Sequence, residues 1–204
     1  MKSTLRRVRE SLDALTPERH GVDGAGIMLY GEGWDFGEVE GSRLGVNASQ
    51  MNMAGTGVGT FNDRIREAVV GGSPFGDPRV QGFATGLLDM PNDMPMDDAE
   101  RFKVMRESAE RLQCGLAGNL ADFLFYAPNW ESSNGNECDP TLYEEPRRVA
   151  GRDAGWHGSN CGYAATPADT VNYVSAHDNE TLWDMCVLKV RHGVRRHKAG
   201  PDHI

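Results

Sequence analysis

Apolar residues near the start of the chain recur with the spacing of one helical face. The face consists of Leu5, Val8, Leu12 and Leu15, and charged residues occupy most positions between them. This spacing predicts an amphipathic helix over residues 3–15. Ser3 is expected to cap its start, and Thr16-Pro17 is expected to end it, because proline cannot continue a helix.

Further along, short apolar runs bounded by glycine or polar residues predict strands, and longer periodic segments predict helices. The predicted strands cover residues 26–31, 57–63 and 170–179, and the predicted helices cover residues 64–70, 97–113 and 180–190. Residues 127–169 are polar and show no period, so they are predicted to be irregular. The order of the elements predicts parallel β-α units in an α/β fold, with long loops leaving the carboxyl ends of the strands.

The charge balance of the chain disfavours some classes of partner. The 204 residues carry a formal net charge of −9, and 25% of them are charged. This net charge disfavours binding to nucleic acid or to an anionic membrane. No apolar segment approaches the roughly 18 residues of a membrane span, and no signal or transit peptide is evident. The sequence therefore shows no targeting signal, and the localisation is unknown.

The cysteines of the chain are not paired along the sequence. They are Cys114, Cys138, Cys161 and Cys186, and no CxxC or comparable zinc-binding spacing occurs. No metal site through thiolates is therefore predicted. Free thiols in a reducing compartment are the simplest interpretation, and disulfides are expected only if the chain is secreted.

An acidic residue between two glycines follows the first predicted strand, in the stretch "LYGEGWDFGEV". Glu32 stands at the carboxyl end of that strand, where α/β folds build their sites. Gly31 and Gly33 leave room for a ligand beside its carboxyl group. Trp34 offers a flat apolar face to a sugar or a base. The alternative is a strand-end turn in which Glu32 caps a neighbouring group.

A histidine and a carboxylate, His177 and Asp178, end the last predicted strand. Such a pair is compatible with a metal site, a hydrogen-bonded core pair or a sugar-binding site. A metal site needs a third ligand, and no HExxH or similar spacing supplies one. Together with Glu32, the pair gives two carboxylates at two strand ends. That arrangement suits glycosidic chemistry, in which an acid protonates the leaving oxygen and fixed negative charge stabilises an oxocarbenium-like transition state.

Four separated stretches of the chain resemble one enzyme family. They are "LYGEGWDFGEV", "NASQMNMAGTGVGTFNDRIREAVVGGSPFG", "QGFATGLL" and "NYVSAHDNETL". They resemble the pullulanase and limit-dextrinase branch of the α-amylase superfamily, in consistent order from about Met1 to about Leu188. The resemblance implies an internal fragment of a (β/α)8 barrel, a TIM-type fold, from about helix 4 through strand and helix 7. It also implies hydrolysis, with retention, of α-1,6-glucosidic links in pullulan, limit dextrins and starch.

The resemblance implies roles for single residues. Glu32, in "GEGWD", is expected to be the general acid/base, and Asp178, in "AHDN", the transition-state stabiliser. His177 is expected to hydrogen-bond the sugar in the −1 subsite. The aromatic residues expected to line the cleft for the branch point are Trp34, Phe36 and Phe75.

The resemblance also implies the ligands of the chain. The expected partner is an α-glucan, and neither nucleic acid nor a membrane is expected to bind. No cofactor or metal is expected in the site; full-length members can hold a structural calcium ion, which no pattern here indicates. A plant or algal source would imply a plastid location.

The chain departs from the family pattern in two places. The aspartate nucleophile of the family lies in a "GFRFDLMGH" motif, which does not occur in the 204 residues. Residues 1–188 are expected to form a partial catalytic barrel, and residues 189–204 an unrelated or disordered tail. Because a retaining mechanism needs the nucleophile, the chain by itself is expected to be inactive. The alternative interpretation is a non-catalytic glucan-binding or scaffold relative of the same fold.

Overall fold

The computed structural model describes residues 1–129 and 144–194 of the chain, and Cys138 and residues 195–204 lie outside these ranges. The helices are α1 (Lys2–Asp13), α2 (Pro17–His20), α3 (Gln50–Met53), α4 (Asp63–Val70), α5 (Asp98–Leu116) and α6 (Leu182–Val194). The strands are β1 (Leu29–Gly31), β2 (Val58–Asn62), β3 (Leu124–Asn129), β4 (Glu144–Ala150), β5 (Gly155–Trp156), β6 (Ser159–Asn160) and β7 (Thr170–Asn172).

The three strands predicted from the sequence form one parallel sheet, in the order β1-β2-β7. Leu29 pairs with Val58, and Thr60 pairs with Thr170. The prediction of parallel β-α units is thereby confirmed for these strands. Because parallel strands end at the same edge of a sheet, the residues that follow β1 and β2 are neighbours there.

The third predicted strand is much shorter than expected. The expectation that His177 and Asp178 end it is wrong, because β7 stops at Asn172 and the pair lies on the loop that follows. Asn62 and Asn172 are the last paired residues of β2 and β7, and the Asn62 amide donates to the Asn172 Oδ1 at 2.7 Å. The Asn62 side chain also accepts from the backbone N–H of Ile65 and caps α4. The sheet ends here because β2 turns into a helix and leaves β7 without a partner strand.

The predicted helices are present, with different starts and ends. The Ser3 cap is wrong, because α1 begins at Lys2 and Ser3 already lies in its first turn. Met1 is the cap residue, and the Lys2 N–H donates to the Val46 carbonyl at 3.0 Å. The end predicted at Thr16-Pro17 is also wrong, because α1 already ends at Asp13, and Thr16 and Pro17 instead cap and start the short helix α2.

Two antiparallel hairpins occupy much of the segment predicted to be irregular, so that prediction is wrong for the parts that form strands, whereas residues 130–143 lie outside the described ranges. Strand β3 pairs with β4, and β5 pairs with β6 through a turn at His157 and Gly158. Both turn residues have positive φ angles, +44° and +76°, as the tightest hairpin turns require. The apolar residues of these hairpins pack with α5 in a core of Cys114, Phe125, Ala127, Val149, Ala154 and Cys161.

Helix α6 continues beyond its predicted end to Val194, across the expected boundary between residues 188 and 189. The side chain of Lys189, directly after that boundary, is fully buried against the segment that follows α4. The interpretation of residues 189–204 as an unrelated tail stays a prediction. Within the two described ranges, no helix combines the length and the apolar character needed to cross a membrane.

Candidate functional site

A cleft of about 960 Å³ opens beside the carboxyl ends of β1 and β2. The predicted site residues that line it are Glu32, Trp34, Phe36, Phe75 and Asp178. His177, in contrast, is exposed and does not line the cleft, although Asp178 and Asn179 do. The structure thus brings together residues from widely separated parts of the chain and leaves one predicted residue outside.

Glu32 follows β1 directly, and the glycine after it fixes its position. Gly33 has a φ of +74°, and a Cβ atom there would lie 2.7 Å from Cγ2 of Thr60. The Gly33 carbonyl accepts a hydrogen bond from the Gln50 N–H at 3.0 Å. Only glycine fits this position without strain. A Cβ atom at Gly31 would meet open space. Packing therefore does not require a glycine at that position.

The loop that carries Trp34 and Phe36 is held by Asp35. Its carboxylate accepts hydrogen bonds from the Asn47 Nδ2 at 2.8 Å and from the Gly41 N–H at 3.1 Å. Phe36 is 65% exposed, and Phe75, on a separate loop, is 99% exposed. Aromatic rings left in solvent at a cleft rim are available to a ligand with an apolar face.

The two carboxylates predicted to act in the site have no partners among the described protein residues. In residues 1–129 and 144–194, neither the Glu32 nor the Asp178 carboxylate forms a hydrogen bond or an ion pair with another residue. Both groups are therefore free to meet a ligand. The same described residues contain no group of three or more histidine, cysteine, aspartate or glutamate residues placed to hold a metal ion.

Helix α4 supplies a polar floor that the sequence analysis missed. Asp63, directly after β2, accepts from the Gln50 Nε2 at 2.9 Å and from the Arg64 guanidinium at 2.8 Å. Arg64 also donates to the Gln50 Oε1 at 2.6 Å and is almost completely buried. The available signal was a charged sequence, "DRIRE", directly after a buried strand, since a helix at that place faces the carboxyl edge of the sheet.

A hairpin from the missed segment forms a further wall. Trp156 and Ser159, on strands β5 and β6, line the cleft. The Arg64 guanidinium lies between two aromatic rings, 4.2 Å from the centre of the Trp156 ring and 4.6 Å from that of Tyr163. Cation–π contact with a buried arginine holds the indole in one orientation.

Glu67 is a buried carboxyl group in the cleft with a shifted pKa. Burial raises its pKa above the ordinary value of 4.5, and the hydrogen bond with His157 opposes that rise. The His157 Nε2 lies 2.9 Å from the Glu67 Oε2, and the charge of Asp63 raises the pKa further. The cleft therefore contains a carboxyl group that gains a proton more readily than an exposed glutamate does.

Comparison with known proteins gives close relatives of one kind. No protein-family model matches the sequence. The chain is 44% identical over 190 residues to the chloroplastic pullulanase 1 of Arabidopsis thaliana, covering 93% of this chain and 18% of that protein. It is 37% identical over 184 residues to the pullulanase of Klebsiella pneumoniae, covering 88% of this chain and 14% of the relative.

Solved structures agree with the sequence relatives. The crystal structure of the Klebsiella pneumoniae pullulanase complexed with maltotriose matches with a TM-score of 0.66 and 34% sequence identity. The match covers 92% of this chain and 15% of that one.

The fold and the cleft define an α/β protein with its site at the carboxyl ends of parallel strands. Sequence and structure comparisons together then give the family: the chain belongs to the pullulanases. It spans less than a fifth of the length of these relatives.

Proposed function

We propose that this chain is the glucan-binding and acid-bearing segment of a glycoside hydrolase that cleaves α-1,6-glucosidic links. The observation that carries the proposal is the presence of Glu32 and Asp178 in one cleft, both free of protein partners among the described residues. Glu32 serves as general acid/base and protonates the leaving glycosidic oxygen. Asp178 stabilises the positive charge that develops on the sugar ring in the transition state.

The exposed aromatic rings bind the substrate. Trp34, Phe36 and Phe75 surround the cleft on two loops, and flat apolar rings complement the apolar faces of glucose units. His177 hydrogen-bonds the sugar in the −1 subsite in this proposal, which requires the loop after β7 to bring it into the cleft. The maltotriose bound by the Klebsiella pneumoniae pullulanase supports an α-glucan as the ligand, and both pullulan and limit dextrins fit this class.

The parallel sheet is part of a (β/α)8 barrel in this proposal. The support is the parallel order of β1, β2 and β7 and the position of the cleft at their carboxyl ends, which is where barrels of this type carry their sites. In this proposal β1, β2 and β7 are three of the eight strands that such a barrel contains.

The chain by itself binds glucan but does not hydrolyse it in this proposal. A retaining mechanism requires a carboxylate nucleophile on the opposite side of the sugar from the acid. Asp63 lines the cleft, but Gln50 and Arg64 already engage its carboxylate. Asp122 is 81% exposed, pairs with Arg152 and does not line the cleft. Neither aspartate is therefore placed to replace the nucleophile.

Titration of the chain with maltotriose in a calorimeter tests the proposed binding. Trp34→Ala should raise the Kd about fivefold or more, because an aromatic contact is worth roughly 1 kcal/mol or more. Trp183→Ala is the matched control, since Trp183 is 77% exposed on α6 and does not line the cleft. Absence of maltotriose binding, or an equal effect of the two substitutions, would refute the proposed function.

A further inference from the structure

The β5–β6 hairpin separates the cleft from a second cavity, a groove of about 390 Å³ between the hairpin and α5. Trp156 lines both the cleft and the groove. A ligand that contacts the indole is therefore adjacent to both cavities. We propose that the groove is an additional subsite for the same α-glucan chain, an inference that rests on the proposed function and extends it to longer ligands.

The hairpin is a fixed wall rather than a loose loop. On the side of the cleft, the His157 Nε2 lies 2.9 Å from the Glu67 Oε2, and the Arg64 guanidinium lies over the Trp156 ring. On the side of the groove, the Arg111 Nε donates to the Gly155 carbonyl at 3.2 Å. Contacts on both sides preorganise the hairpin, so a ligand that crosses it does not have to order it first.

The charges of the groove favour a neutral ligand. Three arginines and three acidic residues line it: Arg106, Arg111, Arg147, Glu107, Glu110 and Asp153. Opposite charges pair in it: the Arg147 guanidinium of β4 lies 3.1 Å from the Glu110 Oε1 of α5, and within α5 the Arg111 guanidinium lies 3.4 Å from the Glu107 Oε2. The formal charges therefore cancel, whereas a site for phosphate or for a cation needs an excess of one sign.

Two charged residues of the groove remain available for hydrogen bonds. In the described part of the chain, Arg106 and Asp153 form no hydrogen bond or ion pair. The guanidinium supplies donors and the carboxylate supplies acceptors. Sugar hydroxyl groups both donate and accept, so this combination suits a carbohydrate. Trp156, which also lines the groove, adds apolar surface beside these two groups.

Binding of glucans of two lengths tests the groove. Maltotriose and maltohexaose are titrated separately into the 204-residue chain, and the longer ligand should bind more tightly because it reaches both cavities. Arg106→Ala and Asp153→Ala should each weaken maltohexaose binding about tenfold or more, since a hydrogen bond to a charged group contributes roughly 1.5–3 kcal/mol. The loss should be confined to the longer ligand. Lys103→Ala, an exposed residue of the same helix α5 that does not line the groove, is the matched control.

The possible outcomes distinguish a failure of the proposed groove subsite from a failure of the proposed function. Equal affinities for the two ligands would overturn the proposed subsite in the groove. So would tighter binding of maltohexaose that neither groove substitution weakens. In both cases, binding of maltotriose would still support the cleft as a glucan site. Weakening by Lys103→Ala to the same degree would also overturn the groove, because the effect would then be one of general charge. Failure of both glucans to bind would overturn the proposed function and the groove with it.

Discussion

Glu67 shows how one residue of α4 is fixed by its surroundings. Its side chain is 8% exposed and lies in the cleft floor between the charges of Arg66 and Asp63. Burial disfavours the ionised carboxylate and raises the pKa, while the hydrogen bond with His157 compensates only in part. The same hydrogen bond attaches the tip of the β5–β6 hairpin to α4.

We expect the unfolding free energy of Glu67→Gln, relative to that of the original chain, to increase as the pH rises. Because the folded-state pKa of Glu67 lies above 4.5, its contribution to the unfolding free energy is fully present below that pH. The contribution is lost as the pH rises through the raised pKa. Glutamine retains a hydrogen-bonding side chain for His157 and carries no charge. Urea unfolding at about pH 4 and about pH 7 measures the difference.

The exposed Glu18→Gln serves as the control for the Glu67 experiment. Its unfolding free energy relative to the original chain should change little between the two pH values. If the difference for Glu67→Gln is likewise constant, the buried carboxyl group does not determine the pH dependence of stability.

Lys189 is a fully buried cation whose ammonium group joins two ends of a loop. Its Nζ donates to the carbonyls of Val70 at 2.9 Å and Gly71 at 2.7 Å, and also to the carbonyl of Val80. These carbonyls lie at the start and the end of the loop that carries Phe75. Burial lowers the pKa of Lys189 to about 8, although the three carbonyl oxygens favour the charged ammonium.

We expect Lys189→Met to reduce the unfolding free energy at neutral pH by about 1–3 kcal/mol, because it leaves buried carbonyls without a donor. A second readout follows from the pKa. The folded-state value of about 8 lies below the ordinary 10.5, so between these pH values the unfolded chain binds more protons and stability rises with pH. This rise should be absent in Lys189→Met and present in the exposed control Lys103→Met. A rise of equal size in all three proteins would contradict the assignment.

At the scale of elements, α5 illustrates how local sequence defines a helix start. The Asp97 carboxylate accepts from the Glu100 N–H at 2.8 Å, and the Glu100 carboxylate accepts from the Asp97 N–H at 3.3 Å. This reciprocal capping box satisfies two backbone donors that no helical carbonyl reaches. The helix that it starts carries Arg106 and the other α5 residues of the groove.

Asp97→Ala should therefore lower the unfolding free energy by about 1 kcal/mol. Asp98→Ala provides the control, because Asp98 is exposed in the first turn of α5 and its side chain does not cap the helix. Thermal or urea unfolding of both variants, followed by circular dichroism, measures the difference. Equal losses would mean that the negative charge near the helix start matters and the capping hydrogen bond does not.

At the scale of the whole molecule, the parallel sheet is held together by its central strand. Among the described strands, β1 and β7 each pair only with β2. Three cleft carboxylates depend on this arrangement, since Glu32 follows β1, Asp63 follows β2 and Asp178 lies on the loop after β7. The site is thus a property of the assembled sheet rather than of any one segment.

We expect the 204-residue chain to bind maltotriose and to release no reducing sugar from pullulan. Loss of a nucleophile from a catalytic unit costs several orders of magnitude in rate, and Gln50 and Arg64 already engage the Asp63 carboxylate of the cleft. A reducing-sugar assay with the Klebsiella pneumoniae pullulanase as positive control measures this. If the chain released reducing sugar and Glu32→Gln abolished that release, the chain would be an active hydrolase with another carboxylate as nucleophile.

The parts of the site that sequence predicted best are local. Glu32 and Trp34 follow β1 directly, so the position of the strand was enough to place them at its carboxyl end. His177 was placed less well, because its position depended on where β7 ends. That end is determined by the pairing of Asn62 with Asn172, a contact between residues far apart in the chain.

The sequence by itself determined the helices with a clear apolar face, the three parallel strands and the family, because each depends on neighbouring residues or on long matching stretches. Only the tertiary structure decided the two hairpins and their place in the fold. Trp156 lines the cleft and His157 contacts the cleft residue Glu67, because Arg64 and Glu67 of α4 bind the two side chains. A residue's distance along the chain says nothing about such contacts, since they form only when the packed elements bring buried charges and rings together.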